Sequence, residues 1–227
     1  MFTVALCASV ICLVTGSIAS AEPEKKPNLV EDTYFSIGVG GVVHVFSKTD
    51  DFRAGLFEGF NGDDEITWMP GFQFNAELNL NSVLSLSLPI GIAPGYRMQY
   101  LTITREYTYY GGYSVSGDIT QKLSYMNHIA YLDFLLPLGS KKYFIIGAEV
   151  GCGLSTFTYK TSGTGLPSTT DTANGRIFPV GAFFDWGADG VGGRFGFNHC
   201  FASFNKIEDS RPSFDGNQFY VNFRYAF

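Results

Sequence analysis

Charge is scarce in this chain. Only 16 % of its 227 residues are charged, against about a quarter in an ordinary soluble domain. No five like charges stand together. A surface so poor in charge is one that something other than water covers. The formal net charge of −6 excludes the basic footprint of a nucleic-acid binder. Cysteine is equally sparse: Cys7, Cys12, Cys152 and Cys200, with no CxxC and no metal-ligand spacing. The sequence therefore offers no zinc site and implies no cofactor. Gly38-Val39-Gly40-Gly41 lacks the spacing and the following helix of a phosphate loop. No linker or low-complexity stretch interrupts residues 33–227, which read as one domain.

Residues 1–21 are apolar and small and end in Ala19-Ser20-Ala21, a small-x-small cleavage pattern. We read them as a secretory signal, although no Lys or Arg precedes the apolar run. A membrane anchor is the alternative, but the apolar stretch lies at the short end of the spanning range, which starts at about 17 residues. Neither Cys7 nor Cys12 follows the small-residue box of a lipoprotein. Residues 22–32 form a short polar tail with Pro23 and Pro27, expected on the periplasmic side. After removal of the leader the chain keeps Cys152 and Cys200, whose separate strands leave them free or paired.

What the chain has in abundance is alternation. From Pro70, Phe72, Phe74, Ala76, Leu78 and Leu80 alternate with Gln73, Asn75, Glu77 and Asn79. Leu84, Leu86, Leu88, Ile90 and Ile92 then alternate with Ser85, Ser87, Pro89, Gly91 and Ala93, which predicts a strand from Leu84. Period two segregates these sets on the faces of strands, whereas a helix repeats every 3.6 residues. The same pattern predicts strands over 34–46, 125–136, 143–158, 177–186, 194–204 and 218–227. Short connections are expected near Asn81-Ser82, 137–142 and 187–192, and long ones near 48–65, 104–117, 161–175 and 205–217. Short turns on one side and long loops on the other, with an even strand count, describe a membrane barrel of about eight strands.

Period two cannot say which face is inside. Face composition can. The polar set is rich in Gly, Ser, Ala and Asn, which fit a narrow lumen. The apolar set is Leu, Ile, Val and Phe with almost no charge, as hydrocarbon demands, since a mid-depth Lys or Arg there costs about 2–4 kcal/mol. Trp68, Phe72, Tyr143, Phe144, Trp186, Tyr225 and Phe227 stand near strand ends, like the aromatic girdles of membrane interfaces. Closure follows, because an open sheet leaves unpaired backbone groups in lipid.

Phe219-x-Val221-x-Phe223-x-Tyr225-x-Phe227 resembles the C-terminal recognition signal of outer-membrane barrels, which the assembly machinery reads. The architecture is similar to the small eight-stranded barrels of the OmpX, opacity-protein and OmpA-barrel type. Residues 130–138, AYLDFLLPL, are similar to the "YLEIPLLL" strand of the porin-T-like barrel domain, with Asp for Glu and a displaced proline. A counterpart of the soluble peptidoglycan-binding domain of OmpA is not expected. The resemblance implies outer-membrane lipid and the assembly machinery as partners, a bacterial outer-membrane location, and an extracellular protein or host ligand for the loops.

Glu77, Arg97, Asp133, Glu149, Asp185, Arg194 and Arg224 fall on the lumen parity. Buried charges persist only when paired, so internal ion pairs are expected, with Asp185 facing Arg194 across the turn near 187–192. We favour a structural plug over a charged pore lining, because eight strands leave room only for side chains or one small ligand. His199 with Ser203 and Asn205 is similar to the His-Ser-Asn region of outer-membrane lipid A deacylases, but His and Ser stand four apart rather than two. An interface histidine is the plainer reading of His199, and the same parity puts His128 on the lipid face.

Thr102–Ser124 is dense in strand formers, with Tyr107, Tyr109, Tyr110 and Tyr113, and exceeds the roughly 9–11 residues a membrane needs. It is expected to project outside the cell as a hairpin offering a tyrosine-rich surface or edge. Pairing Tyr110 with Tyr113 across Gly111-Gly112 opposes Met98 to Tyr125 in conflicting parity. That calls for a bulge near Pro94-Gly95 or a longer loop. Pro89, Pro94 and Pro179 also sit awkwardly within predicted strands. The sequence thus points to a non-enzymatic surface barrel for adhesion or partner interaction. The alternatives are a narrow OmpW-like channel for small solutes or apolar molecules, and a lipid hydrolase.

Overall fold

The computed structural model describes residues 33–47, 68–86, 88–111, 115–138, 144–164, 166–188, 190–205 and 215–227. The expected leader 1–21 and tail 22–32 lie outside the described residues. Eight antiparallel strands follow the chain in order and close on themselves. They are β1 Phe35–Phe46, β2 Trp68–Leu78, β3 Gly91–Gly111, β4 Val115–Leu138, β5 Phe144–Gly163, β6 Leu166–Ala188, β7 Val191–Phe204 and β8 Gly216–Ala226. β1 closes the ring against β8, from Ser36 opposite Ala226 to Phe46 opposite Gly216. Every sheet edge within the ring is thereby paired, as hydrocarbon requires.

The wall is inside out relative to a soluble barrel. Phe74, Phe134, Ile146, Phe184, Phe195 and Phe223 are exposed outward, Phe223 by 75 %, while Gln73, Arg97, Asn127, Arg194 and Asn198 are fully buried. Trp68, Phe72, Phe144, Trp186, Tyr225 and Phe227 are exposed at the ends of the belt. An apolar exterior around a charged interior is stable only in lipid.

Bulky lumen rings fit because glycines face them. Tyr131 opposes Gly95, Phe183 opposes Gly147, and Tyr220 opposes Gly196. In each pair a Cβ on the glycine would collide with the ring. Cross-strand pairing of a ring with a glycine fills the taper without straining the ladder.

The structure corrects several expectations. No strand begins at Leu84. Leu80–Val83 is a single helical turn, here α1, and β3 starts only at Gly91. Asn79 caps the turn by accepting from the Asn81 N–H at 3.1 Å. The Asn81 side chain then donates to the Ile90 carbonyl and accepts from the Ile92 N–H, at 3.1 and 3.2 Å. Local Asx bonds of this kind compete with a ladder, so alternation over Leu84–Ile90 does not become a strand. The connection near Asn81-Ser82 is therefore longer than expected.

The supposed long connections at 104–117 and 161–175 are mostly strand. β3 and β4 pair up to Gly111 opposite Val115, and β5 and β6 up to Gly163 opposite Leu166. Tyr110 faces Ser116 rather than Tyr113, which brings Met98 opposite His128, both on the outer parity. The longer turn resolves the parity conflict without a bulge near Pro94-Gly95.

The prolines are accommodated where donors are not needed. Pro89 precedes β3. Pro94 lies just past the β2–β3 ladder, which ends at Glu77 opposite Gly95. At Pro179 the β5–β6 ladder skips from Val150–Val180 to Gly153–Ile177 with its register kept, as a missing N–H dictates.

Candidate functional site

The lumen is filled in layers. At the end where Tyr34 meets Phe227 (the Tyr34 N–H donates to the Phe227 carbonyl at 2.9 Å), Ala93, Leu135, Ile145 and Phe183 form a small apolar cluster. Beside it lies the charged layer. Seven strands each supply one ion: Glu77 from β2, Arg97 from β3, Asp133 from β4, Glu149 from β5, Asp185 from β6, Arg194 from β7 and Arg224 from β8. β1 contributes Ser36, which accepts from Arg224 Nη2 at 2.7 Å.

Arg194 is the hub. Its Nε and Nη2 donate to both oxygens of Asp185 at 2.6 and 2.8 Å. The same guanidinium bonds Asp133 and reaches Glu77 at 3.3 Å. Its Cζ lies 3.7 Å from the Phe183 ring centroid. Arg224 bridges Glu77, at 2.9 Å, and Asp185. Arg97 forms a forked pair with Glu149, its Nη1 at 2.7 Å, and lies between the rings of Tyr131 and Tyr220 at 4.8 and 4.6 Å. Asn198 donates to Glu149 at 2.7 Å, and the Tyr131 hydroxyl to Glu77 at 3.2 Å. Four carboxylates thus surround three guanidiniums. Bidentate Arg–carboxylate geometry is the strong form of this bond.

The alternation that marked these residues as inward also marked a second layer, whose connectivity the sequence did not reveal. Gln99 donates to Gln73 at 2.9 Å and to Gln218 at 3.0 Å, and accepts from Asn127 at 3.0 Å. Gln73 continues to Asn222 at 2.9 Å, Asn222 to Asn75 at 3.1 Å, and Gln218 contacts His44 at 3.2 Å. Beyond this amide layer, toward the other end, Phe46, Met69, Leu101, Leu123, Tyr125, Phe157 and Phe204 belong to one buried apolar cluster.

The remaining candidates separate. His128 sits on the lipid face with its Nδ1 2.5 Å from the Tyr96 hydroxyl. His199 Nδ1 lies 2.9 Å from Asn217 Oδ1, with its ring edge-on to Phe201. Ser203 is four residues along the same strand face, about 13 Å away at strand spacing, and lies opposite Arg176. Those positions assemble no nucleophile and base. Cys152 is exposed on the outer face and Cys200 is buried in the lumen, and both are free. The wall lies between them, so they cannot pair.

Among the described residues, the sheet continues outside the membrane on one side only. β2 pairs β3 no further than Gly71 opposite Leu101, and β7 pairs β6 no further than Phe204 opposite Gly175. β3, β4, β5 and β6 run on together, with β4 and β5 paired to Ile119 opposite Gly163. Over some ten more residues this is a projection of about 30 Å along the strands. Its outer face changes character. Thr102, Thr104 and Glu106 on β3 lie beside Ser124, Lys122 and Thr120 on β4. Thr158, Lys160 and Ser162 on β5 follow, then Thr172 and Thr170 on β6. Tyr107, Tyr109 and Tyr110 lie on the β3 part of this extension, and Tyr113 lies outside the described residues.

These features define an eight-stranded transmembrane β-barrel of the bacterial outer-membrane type, integral to that membrane through all its strands. Several solved structures are similar to this chain over most of its length. Ail, the attachment invasion locus protein of Yersinia pestis, is 15 % identical over 86 % of this chain and 100 % of that chain, with a TM-score of 0.47. Neisserial surface protein A is 12 % identical over 87 % and 99 %, with a TM-score of 0.37. The outer membrane protease OmpT of Escherichia coli is 11 % identical over 90 % and 99 %, with a TM-score of 0.38. At such values no activity or ligand carries over. No protein-family model matches the chain, and no curated protein matches it.

Proposed function

We propose that this barrel is a non-conducting, non-enzymatic scaffold that displays the β3–β6 sheet extension outside the cell, where it meets an extracellular protein or host ligand. The layered filling of the lumen is the observation that carries this reading. Ions, amides and apolar side chains interlock across the bore, and an eight-stranded barrel has no spare width once side chains fill it. The hydroxyl-rich outer face of the extension and the strand-borne Tyr107, Tyr109 and Tyr110 support a role for that sheet in contact. Lys122 opposite Lys160 adds a like-charge pair, which costs stability unless an anion offsets it.

The refolded protein in planar bilayers should give no stable single-channel steps. Replacing residues 104–119 by a short Gly-rich turn should leave the barrel folded and remove binding of purified protein to host-cell surfaces. Reproducible conductance steps would overturn the plug and favour the channel. Unchanged binding after the hairpin is shortened would remove the extension from the proposal.

We assign Phe219, Val221, Phe223, Tyr225 and Phe227 to recognition by the barrel-assembly machinery. All five face outward on β8 or just past it, free of the lumen network. Phe227→Ala should lower the amount of assembled, heat-modifiable protein in the outer membrane while refolding into detergent proceeds unchanged. Equal loss in both assays would mean Phe227 serves only stability.

A further inference from the structure

The segment from Leu80 to Ile90 leaves Val83, Leu84, Leu86, Leu88 and Ile90 between 38 % and 58 % exposed. It stands at the end of the barrel where Tyr34 meets Phe227, opposite the β3–β6 extension, and the end from which no paired strands project is the periplasmic one. Contiguous exposed aliphatic side chains on this scale mark a contact with a membrane or a partner.

Three observations say what covers them. First, no charged residue occurs from Leu78 to Tyr96, whereas the other connections at this end carry Lys141, Lys142 and Asp189. Second, the first half of the segment pairs its own backbone N–H groups. Val83 N–H donates to Asn79, Leu84 N–H to Leu80 and Leu86 N–H to Asn81, at 3.1, 2.9 and 2.8 Å. The Asn81 side chain ties both ends of the loop together, and Ser85 takes the left-handed turn, φ 52°. Backbone entering an apolar zone must be paired in this way. Third, the patch adjoins the lipid-facing wall through Leu78 and Ile92, which share the outer parity of β2 and β3. It is aliphatic, without the Trp, Tyr and Arg anchors that dominate protein interfaces.

We infer that the Leu80–Ile90 loop is seated in the periplasmic leaflet, its aliphatic side chains among phospholipid acyl chains, and fixes the depth of the barrel in that leaflet. The bilayer is the occupant. The alternation of Leu84, Leu86, Leu88 and Ile90 thus serves lipid contact without being a strand. An apolar stretch this short seats in the interface and does not cross the bilayer.

The test uses single-tryptophan forms of the full barrel refolded into phosphatidylcholine vesicles. Trp68→Phe with Leu86→Trp and Trp186→Phe reports the loop. Trp68→Phe alone keeps Trp186 and reports the belt. Trp68→Phe and Trp186→Phe with Thr104→Trp reports the aqueous extension. Lipids brominated near the carboxyl end of the acyl chain should quench most of the loop emission, with the same result expected for Trp186, and little of the emission at position 104. Loop emission that resists bromolipid but yields to aqueous iodide overturns the inference. Protection from both quenchers, rising with the protein-to-lipid ratio, would instead indicate a second copy and also overturns it. If Trp186 itself escapes bromolipid, the bilayer reading of the whole barrel fails, which separates the two outcomes. Leu88→Trp in place of Leu86→Trp gives the same readout should the first form not refold.

Discussion

Replacing Arg194 by methionine should cost the barrel about 3–5 kcal/mol, the scale seen when one partner of a buried ionic cluster is removed. The guanidinium is fully buried and bonds Asp185, Asp133 and Glu77 at once. Its loss leaves four carboxylates facing two guanidiniums in a site without bulk water. No local rearrangement supplies the missing charge, because every strand of the ring is pinned by two neighbours. Urea unfolding of the refolded protein in vesicles reads the effect. Adding Asp133→Asn and Asp185→Asn to Arg194→Met should recover much of the loss, since a removed charge pair costs less than an orphaned charge. Arg194→Lys should fall between the two, because an ammonium cannot reproduce the fork toward Asp185. A loss below about 1 kcal/mol, as for an exposed pair, would show that water reaches the network and would revive the channel reading.

The second large effect concerns the outer face. Val150 lies midway along the apolar outward run of β5, Phe144 to Leu154, between Leu132 and Val180 on its neighbours. Val150→Arg should destabilise the refolded protein by about 2–4 kcal/mol, the cost of a guanidinium near the bilayer midplane. Thr158 stands on the same face eight residues nearer the outside, beside Ser124 and Thr172. Thr158→Arg should stay within about 0.5 kcal/mol of the parent, as an ordinary surface change does. The contrast is what matters. Both substitutions add the same side chain to the same strand face, so propensity and ladder terms cancel. Equal costs would mean that Val150 and Thr158 share one solvent, and the boundary drawn between them would fall.

These two positions also show how far sequence reasoning reached. The parity of Arg194 and Val150 could be read directly, because strand side chains alternate and only one set is free of charge. The pairing of Asp185 with Arg194 followed from the tight turn between them. The bonds from Arg194 to Asp133 and Glu77 did not, since they cross the bore between strands that are not neighbours. The helical turn at Leu80–Val83 escaped because Leu84 to Ile90 alternate as a strand would. The competing signal was local and polar, the asparagines at 79 and 81. The extent of β5 and β6 escaped because threonine, serine and glycine over 161–175 look like loop, although threonine pairs well on a solvated face.

The amino-acid order by itself settled that this chain forms two-faced strands, that their charged face is enclosed and that lipid covers the other. Alternation and the cost of charge in hydrocarbon are local properties, legible residue by residue. Tertiary structure alone decided the register, the one-sided extension and the partners of each buried ion. Those depend on how eight strands stagger when the ring closes, and any one strand's sequence is compatible with several staggers of the same parity.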